Sequence, residues 1–182
     1  MGEADEQLML AYRAGDAAAF EQLYQRHKGP LYRFVLRSIR DRALAEELYQ
    51  EIWMRVIESR ERYEAQAKFT TWLYTIAHNR MVDHWRKRGL QLVSIDRADV
   101  PLDPPAAPSA QPDRRLEGKQ SLARFARALE ALPPAQREAF LLHEESGLSV
   151  AEIALATGAN EEAAKSRLRY ALSKLKESLQ DG

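Results

Sequence analysis

The stretch Leu148–Leu175, "LSVAEIALATGANEEAAKSRLRYALSKL", sets three cations, Lys165, Arg167 and Arg169, on one helix directly after "TGAN". It does so in a chain of 182 residues whose 27 basic and 27 acidic side chains cancel. Ser149 and Glu152 have the spacing of a capping box, in which the hydroxyl accepts from the third helical N–H and the carboxylate reaches back to the cap. The short helix that follows carries Ile153, Ala154 and Leu155 and breaks where Gly158 can supply a left-handed turn. Asn160 is placed to cap the next helix, and Glu161 and Glu162 stand where the helix dipole favours anions.

At about 100° per residue, Ala164, Leu168, Ala171, Leu172, Leu175 and Leu179 of that second helix converge on one side. The opposite side near its start holds Glu162, Ala163, Ser166 and Arg169, with Lys165 and Arg167 at its two edges. Edge cations suit phosphates and central residues suit base edges in a major groove. A short helix, a glycine turn and a longer basic helix make the helix-turn-helix pattern. An αα-hairpin with a basic solvated face has the same pattern, and Glu161 and Glu162, which repel phosphates, favour it.

Composition narrows the classes. Apolar residues make up 45% and charged residues 30%, which fits a globular chain able to bury a core. There is no cysteine, so disulfides and thiolate metal sites are excluded. The acidic N-terminus "MGEADEQLMLAYRAGDAAAF" lacks the apolar segment of a secretory signal. No apolar run approaches the roughly 18 residues of a membrane span. A cytoplasmic protein without membrane insertion is expected. Charge balance argues against a stand-alone nonspecific DNA binder, unless charge is segregated or a partner supplies the missing attraction.

Five of the eight prolines lie between Val100 and Pro112, in "VPLDPPAAPSAQP". A linker over residues 91–117 is therefore expected, dividing the chain into domains 1–90 and 118–182. In a polyproline-like conformation it would reach on the order of 90 Å, which suggests modules working at separated sites. Both flanking parts show helical periodicity. Phe20, Leu23, Tyr24, Leu31, Phe34 and Val35 recur at helical intervals, as do Leu44, Leu48, Ile52 and Val56. Leu122, Phe125, Ala126, Leu129 and Leu132 form a stripe ended by Pro133 and Pro134, and "AQREAFLLHEESG" closes at Gly147. The fold class is all-α: two small helical domains joined by a Pro-rich linker, the second containing the helix-turn-helix.

In the first domain, "KFTTWLYTIAHNRMVDHWRKR" (Lys68–Arg88) interleaves Phe69, Trp72, Tyr74 and Trp85 with Lys68, Arg80, Arg86, Lys87 and Arg88. Aromatic faces for stacking and cations for the backbone suit single-stranded nucleic acid. The same aromatics serve equally well as core. Tyr74, His78, Met81 and Trp85 form one stripe, while Trp72, Ile76, Asn79, Asp83 and Arg86 form another, and periodicity does not decide which faces inward.

"AEELYQEIW", "FTTWLYTIAHNRMVDHWR" and "LEALPPAQREAFLLHEESGLSVAEIALATGANEEAAKSRL", in that order, resemble the bacterial RNA polymerase sigma factors of the extracytoplasmic-function (ECF) group. The resemblance covers essentially all of the chain except the linker. It implies a promoter-specificity subunit with no catalytic site or cofactor, whose partners are core RNA polymerase and promoter DNA, duplex at −35 and single-stranded at −10. It also implies a stress- or envelope-type regulon, and the group often has an anti-sigma partner. By the same resemblance, Glu46, Glu47, Leu48, Gln50 and Glu51 dock on the coiled coil of the polymerase's largest subunit. Residues 69–88 recognise and open the −10 element, with Asn79, Asp83 and Arg86 on the family's "N-x-x-x-D-x-x-R" pattern. The preceding loop would receive an extruded base, with Tyr63, Lys68 and Phe69 as contacts. The −10 candidates are thus Tyr63, Lys68, Phe69, Trp72, Tyr74, Asn79, Arg80, Asp83, Trp85, Arg86 and Lys87. The −35 candidates are Glu162, Ala163, Lys165, Ser166, Arg167 and Arg169. Ala163 and Ala164 depart from the family's common "T-V-K-S-R", so a promoter sequence cannot be copied across.

Two other classes are weaker. A dimeric ligand-sensing regulator would leave residues 69–88 unexplained, and no dimerisation helix is evident. An enzyme would need a site. His78 and His84 lack same-face spacing for a helical metal pair, and His143, Glu144 and Glu145 read as a solvated helix end. Net neutrality fits a subunit whose grip on DNA is largely supplied by the polymerase.

Overall fold

The computed structural model describes residues 2–89 and 114–180. All regular structure among them is helical: α1 (Asp5–Arg13), α2 (Ala17–Ile39), α3 (Arg42–Glu58), a 3-10 turn (Arg60–Arg62), α4 (Phe69–Lys87), α5 (Arg114–Ala131), α6 (Pro134–Ser146), α7 (Val150–Thr157) and α8 (Glu161–Gln180). The expected linker lies mostly outside the described residues. Its last four positions, 114–117, already belong to α5.

The first four helices form one bundle. Leu8 and Met9 of α1, Leu23, Leu31, Phe34 and Val35 of α2, and Leu48, Ile52 and Val56 of α3 meet in its core. Each large apolar side chain so buried contributes about 1.5–3 kcal/mol. Local signals set the boundaries. The Asp16 carboxylate accepts from the amides of Ala18 and Ala19, and that of Asp41 accepts from Leu44. Between them, α2 ends at Arg40, whose φ of 66° is unusual outside glycine.

Helix α4 has no side-chain cap of its own. Its first amide, on Phe69, donates to the Glu6 carboxylate of α1 at 2.9 Å. Arg13, at the other end of α1, donates to the Tyr63 carbonyl at 2.7 Å. Together they stitch the 63–69 loop onto α1, 50 and 63 residues away in sequence.

Caps that the sequence predicts close α6 and bound α7, and one opens α8. Pro134 stands in the first turn of α6, and Gly147 closes it at φ 67°. Ser149 and Glu152 form the full reciprocal capping box on α7. Gly158, also at φ 67°, turns the chain, and the Asn160 side chain accepts from the Ala163 amide at 2.8 Å. A residue with a Cβ at Gly158 would carry left-handed strain in open space. Ala164, Leu168, Ala171 and Leu175 of α8 are buried as expected. Leu172 and Leu179 are not, being 42% and 51% exposed, because α5 and α6 cover only a narrow stripe of α8. Leu122 of α5 and Leu155 of α7 are likewise exposed.

The two bundles are not apart. Helix α2 packs against α6, and α4 against α7. A long tether permits separation but does not impose it, and here complementary faces hold the domains together.

Replacing Glu6 by Ala removes the cap of α4. It is expected to lower stability by about 1 kcal/mol in urea titration, while Glu3→Ala, at an exposed carboxylate, changes little.

Candidate nucleic-acid interface

The burial of α4 decides between its two stripes. Tyr74, Met81 and Trp85 face inward with Phe69, Leu73 and Ala77, and all six are buried. The other stripe runs outward, from half-buried Trp72 and Ile76 to exposed Asn79, Asp83 and Arg86. Four aromatics expected to contact −10 DNA, Tyr63, Phe69, Tyr74 and Trp85, are therefore core, and their faces are already occupied. Tyr63 lies edge-on to Trp72 at 5.0 Å and to Phe69 at 6.4 Å, and Tyr74 lies edge-on to Phe34 at 5.3 Å. Burial pushes the phenols of Tyr63 and Tyr74 up to about 12.

What remains accessible on α4 and its leading loop is Lys68, part of half-buried Trp72, Asn79, Asp83, Arg86 and Lys87, with Arg88 beyond. The C-terminal end of α4 is strongly cationic. His84 is pushed below its ordinary pKa, first by burial and then by the Arg88 and Lys87 charges. Such a potential suits phosphate. Arg80, also expected to meet DNA, is engaged elsewhere: it pairs with Glu51 of α3, and with Asp83 at 3.6 Å. It locks the helix that carries Glu46, Glu47, Leu48, Gln50 and Glu51 to α4.

On α3 itself, Glu46, Glu47 and Gln50 are exposed and Glu51 is half-buried. Leu48 is core rather than surface, so it orients the segment without being available to a partner. Met54, one turn beyond Gln50, is 54% exposed and extends the strip with an apolar side chain that sequence reasoning passed over. Its signal was its place at four-residue spacing from Gln50.

In the second bundle, the first half of α8 presents Glu162, Lys165 and Arg169 to solvent. Ala163, Ser166 and Arg167 are half-buried between them. No helix of the first bundle packs substantially against α8, so this surface stays open. Among the described residues no group of three or more His, Asp or Glu is arranged to hold a metal ion. Nor is any helix long and apolar enough to cross a membrane.

Glu145 departs from its expected solvated position. Its side chain is only 9% exposed and pairs with Arg33 at 2.9 Å and with Arg37, both on α2. His78 meets Glu138 at 2.5 Å, and Lys68 meets Glu152 at 2.9 Å. These cross-bundle pairs were missed because each joins residues at least 60 positions apart.

A capped helix-turn-helix with an open basic helix, a second helix with polar and cationic outward groups, and an acidic strip beside it define a DNA-binding protein that also docks on a partner. Residues 23–91 match Sigma-70 region 2 and residues 122–175 match Sigma-70, region 4. The RNA polymerase sigma factor CarQ of Myxococcus xanthus is 36% identical over 172 residues, 94% of this chain and 95% of that one. The ECF RNA polymerase sigma factor SigK of Mycobacterium tuberculosis is 34% identical over 181 residues, 97% and 94% of the two chains. Among solved structures, the sigma factor RpoE in complex with the anti-sigma factor NepR from Bartonella quintana aligns at TM-score 0.66 and 27% identity, over 88% of this chain and 96% of that one. CnrH in complex with the cytosolic domain of CnrY shares the fold at TM-score 0.69 and 24% identity, over 98% of each chain. The chain belongs to the ECF RNA polymerase sigma factors. It directs RNA polymerase to promoters, and its partners are core RNA polymerase and promoter DNA. Sigma factors are initiation factors rather than enzymes.

The Glu152 carboxyl is held below the usual carboxylate range, first by the Ser149 amide, then by Lys68, against a smaller opposing effect of burial. Its folded pKa is depressed, so its stabilisation is present above the unfolded value of about 4.3 and is lost as pH falls through the folded one. The stability gap between the parent and Glu152→Gln is therefore expected to shrink between about pH 6 and about pH 3 in thermal melts.

Proposed function

We propose that the two DNA surfaces and the docking strip divide promoter opening between them. The exposed start of α8 reads the −35 duplex, with Lys165 on phosphate and Arg169 at base edges. Ala163 and Ser166 lie close to the groove floor, and Glu162 accepts from a cytosine amino group. Arg167, half-buried, supports the helix edge. Where the family pattern has a hydroxyl, this chain has Ala163, so the preferred −35 sequence differs from that of factors carrying the full pattern.

On α4, Asn79, Asp83 and Arg86 take the upstream edge of the −10 element, and Lys68 and Lys87 bind its backbone. The extruded non-template base is held against the edge of Trp72, with Tyr63 and Phe69 buttressing that ring from within. Melting proceeds by capture: unstacking is offset by contacts to the base once it has left the duplex. The exposed strip of Glu46, Glu47, Gln50 and Met54 docks on the polymerase, where a mixed polar and apolar surface is suited to a protein interface. Arg80, through Glu51, fixes the angle between docking and melting helices. A cytoplasmic location follows from that assembly, and an anti-sigma protein is the natural regulator.

The observation that carries this reading is the outward stripe of α4, which is polar and accessible while its aromatic counterpart forms the core. Run-off transcription with purified core enzyme on genomic fragments tests it: start sites that depend on this chain support it, and a polymerase indifferent to the chain overturns it.

Two substitutions refine the division. Arg169→Ala is expected to relax preference at one −35 position by about 1–3 kcal/mol, read by competition among promoter variants. Uniform weakening on all sequences would make Arg169 a phosphate contact instead. Glu47→Lys with Gln50→Lys should abolish co-migration with core polymerase while leaving the circular dichroism of the free chain unchanged.

A further inference from the structure

Helix α1 follows the connection between α3 and α4 along its length. The Arg60 guanidinium lies over the Tyr12 ring, 5.8 Å from its centre. Arg13 donates to the Tyr63 carbonyl at 2.7 Å, and the Phe69 amide donates to the Glu6 carboxylate at 2.9 Å. These last two contacts grip main-chain atoms at the two ends of one loop. Glu64, Ala65, Gln66, Ala67 and Lys68 between them are all exposed. Glu6 and Arg13 are seven residues apart, so they share one face of α1 and stand about 10 Å from each other along its axis. The span of the loop is therefore set by two turns of helix rather than by the loop's own residues.

Helix α1 is itself held in place. Leu8 and Met9 anchor its inner side in the core. At its start Asp5 pairs with Arg26 at 2.9 Å and with His27 at 2.8 Å, and Arg26 also donates to the Glu3 carbonyl at 2.6 Å. The His27 ring in turn lies 5.2 Å from that of Phe69. Behind the loop, the rings of Tyr63, Phe69 and Trp72 form a triangle with centres 5.0, 5.9 and 6.4 Å apart. The loop thus has fixed ends and an aromatic floor. Neither Glu6 nor Arg13 falls within residues 23–91, the part that matches Sigma-70 region 2.

We infer that α1 is a splint for base capture: Glu6 and Arg13 are positioning residues that hold the 63–69 loop in the shape that receives the extruded −10 base. The inference rests on the role proposed for that loop and Trp72. A loop ordered in advance spares the ordering that binding otherwise requires. Loosened so that it takes the receptive shape about a tenth of the time, it captures a base about tenfold more weakly. Reading of the −35 duplex by α8 and docking through α3 use other surfaces. Loss of the splint therefore slows opening without weakening the closed complex.

Promoter opening by the full chain with core polymerase, followed by 2-aminopurine fluorescence at the −10 element, tests this. Glu6→Ala and Arg13→Ala should each slow opening about tenfold at saturating chain, with unchanged affinity for duplex promoter in the closed complex. Glu6→Gln, whose amide oxygen still accepts from Phe69, should restore the parent rate. In the free chain, Glu6→Ala should also speed hydrogen exchange at the Phe69 amide. Slow opening that disappears once the chain is saturating reports lost folding and overturns the inference. Normal opening in both Ala variants, while Trp72→Ala is slow, overturns the splint and keeps the site. Normal opening in all three overturns the loop as receiver of the base, and the splint with it. Parent-like exchange at Phe69 in Glu6→Ala means that no cap holds the loop there, which overturns the splint as well.

Discussion

Helix α4, 19 residues long, has to satisfy three environments at once. One stripe fills the core of the N-terminal bundle through Phe69, Leu73, Ala77, Met81 and Trp85. A second, ending in Asn79, Asp83 and Arg86, faces outward. A third side, at His78, with Lys68 just before the helix, faces the C-terminal bundle. The helix can do this only if its position is fixed from outside. Glu6 caps its first turn, and Arg80 ties its middle to Glu51 of α3. A shift of either anchor would move the outward stripe of α4 relative to α3.

The absence of net charge now has a structural counterpart. Acidic and basic residues are not merely equal in number, for part of each set is placed on opposite sides of one internal seam. Arg33, Arg37, Arg40 and Lys68 of the N-terminal bundle are paired with carboxylates of the C-terminal one. The helix-turn-helix keeps its own cations, Lys165 and Arg169, on a surface the seam does not reach.

Much of this was legible from residue order, because local chemistry sets it. The capping box at Ser149 and Glu152, the left-handed Gly147 and Gly158, and the Asn160 cap all act within five residues, and each was readable. Membership in the sigma factors was readable from the order of motifs. The inward stripe of α4 was not, since Tyr74 and Trp72 belong to stripes of similar composition and only the packing of α2 and α3 selects between them. Periodicity places Leu172 and Leu179 on the inner face of α8, yet both are exposed, because it reports a helix face but not how far its neighbours extend. Glu145 and Glu138 were the hardest to read. Nothing near them in sequence distinguishes a solvated acid from one made dry by arginines and a histidine a hundred or sixty positions away.

The most direct measurement is photo-crosslinking from Asn79, the exposed centre of the outward stripe of α4, replaced by benzoylphenylalanine. With core polymerase and promoter DNA, crosslinks should fall on the non-template strand at the −10 element, and the free chain with the same DNA should give almost none. Crosslinks elsewhere on the promoter, or equal yield with and without polymerase, would contradict both the placement of the melting surface and its dependence on the assembled enzyme.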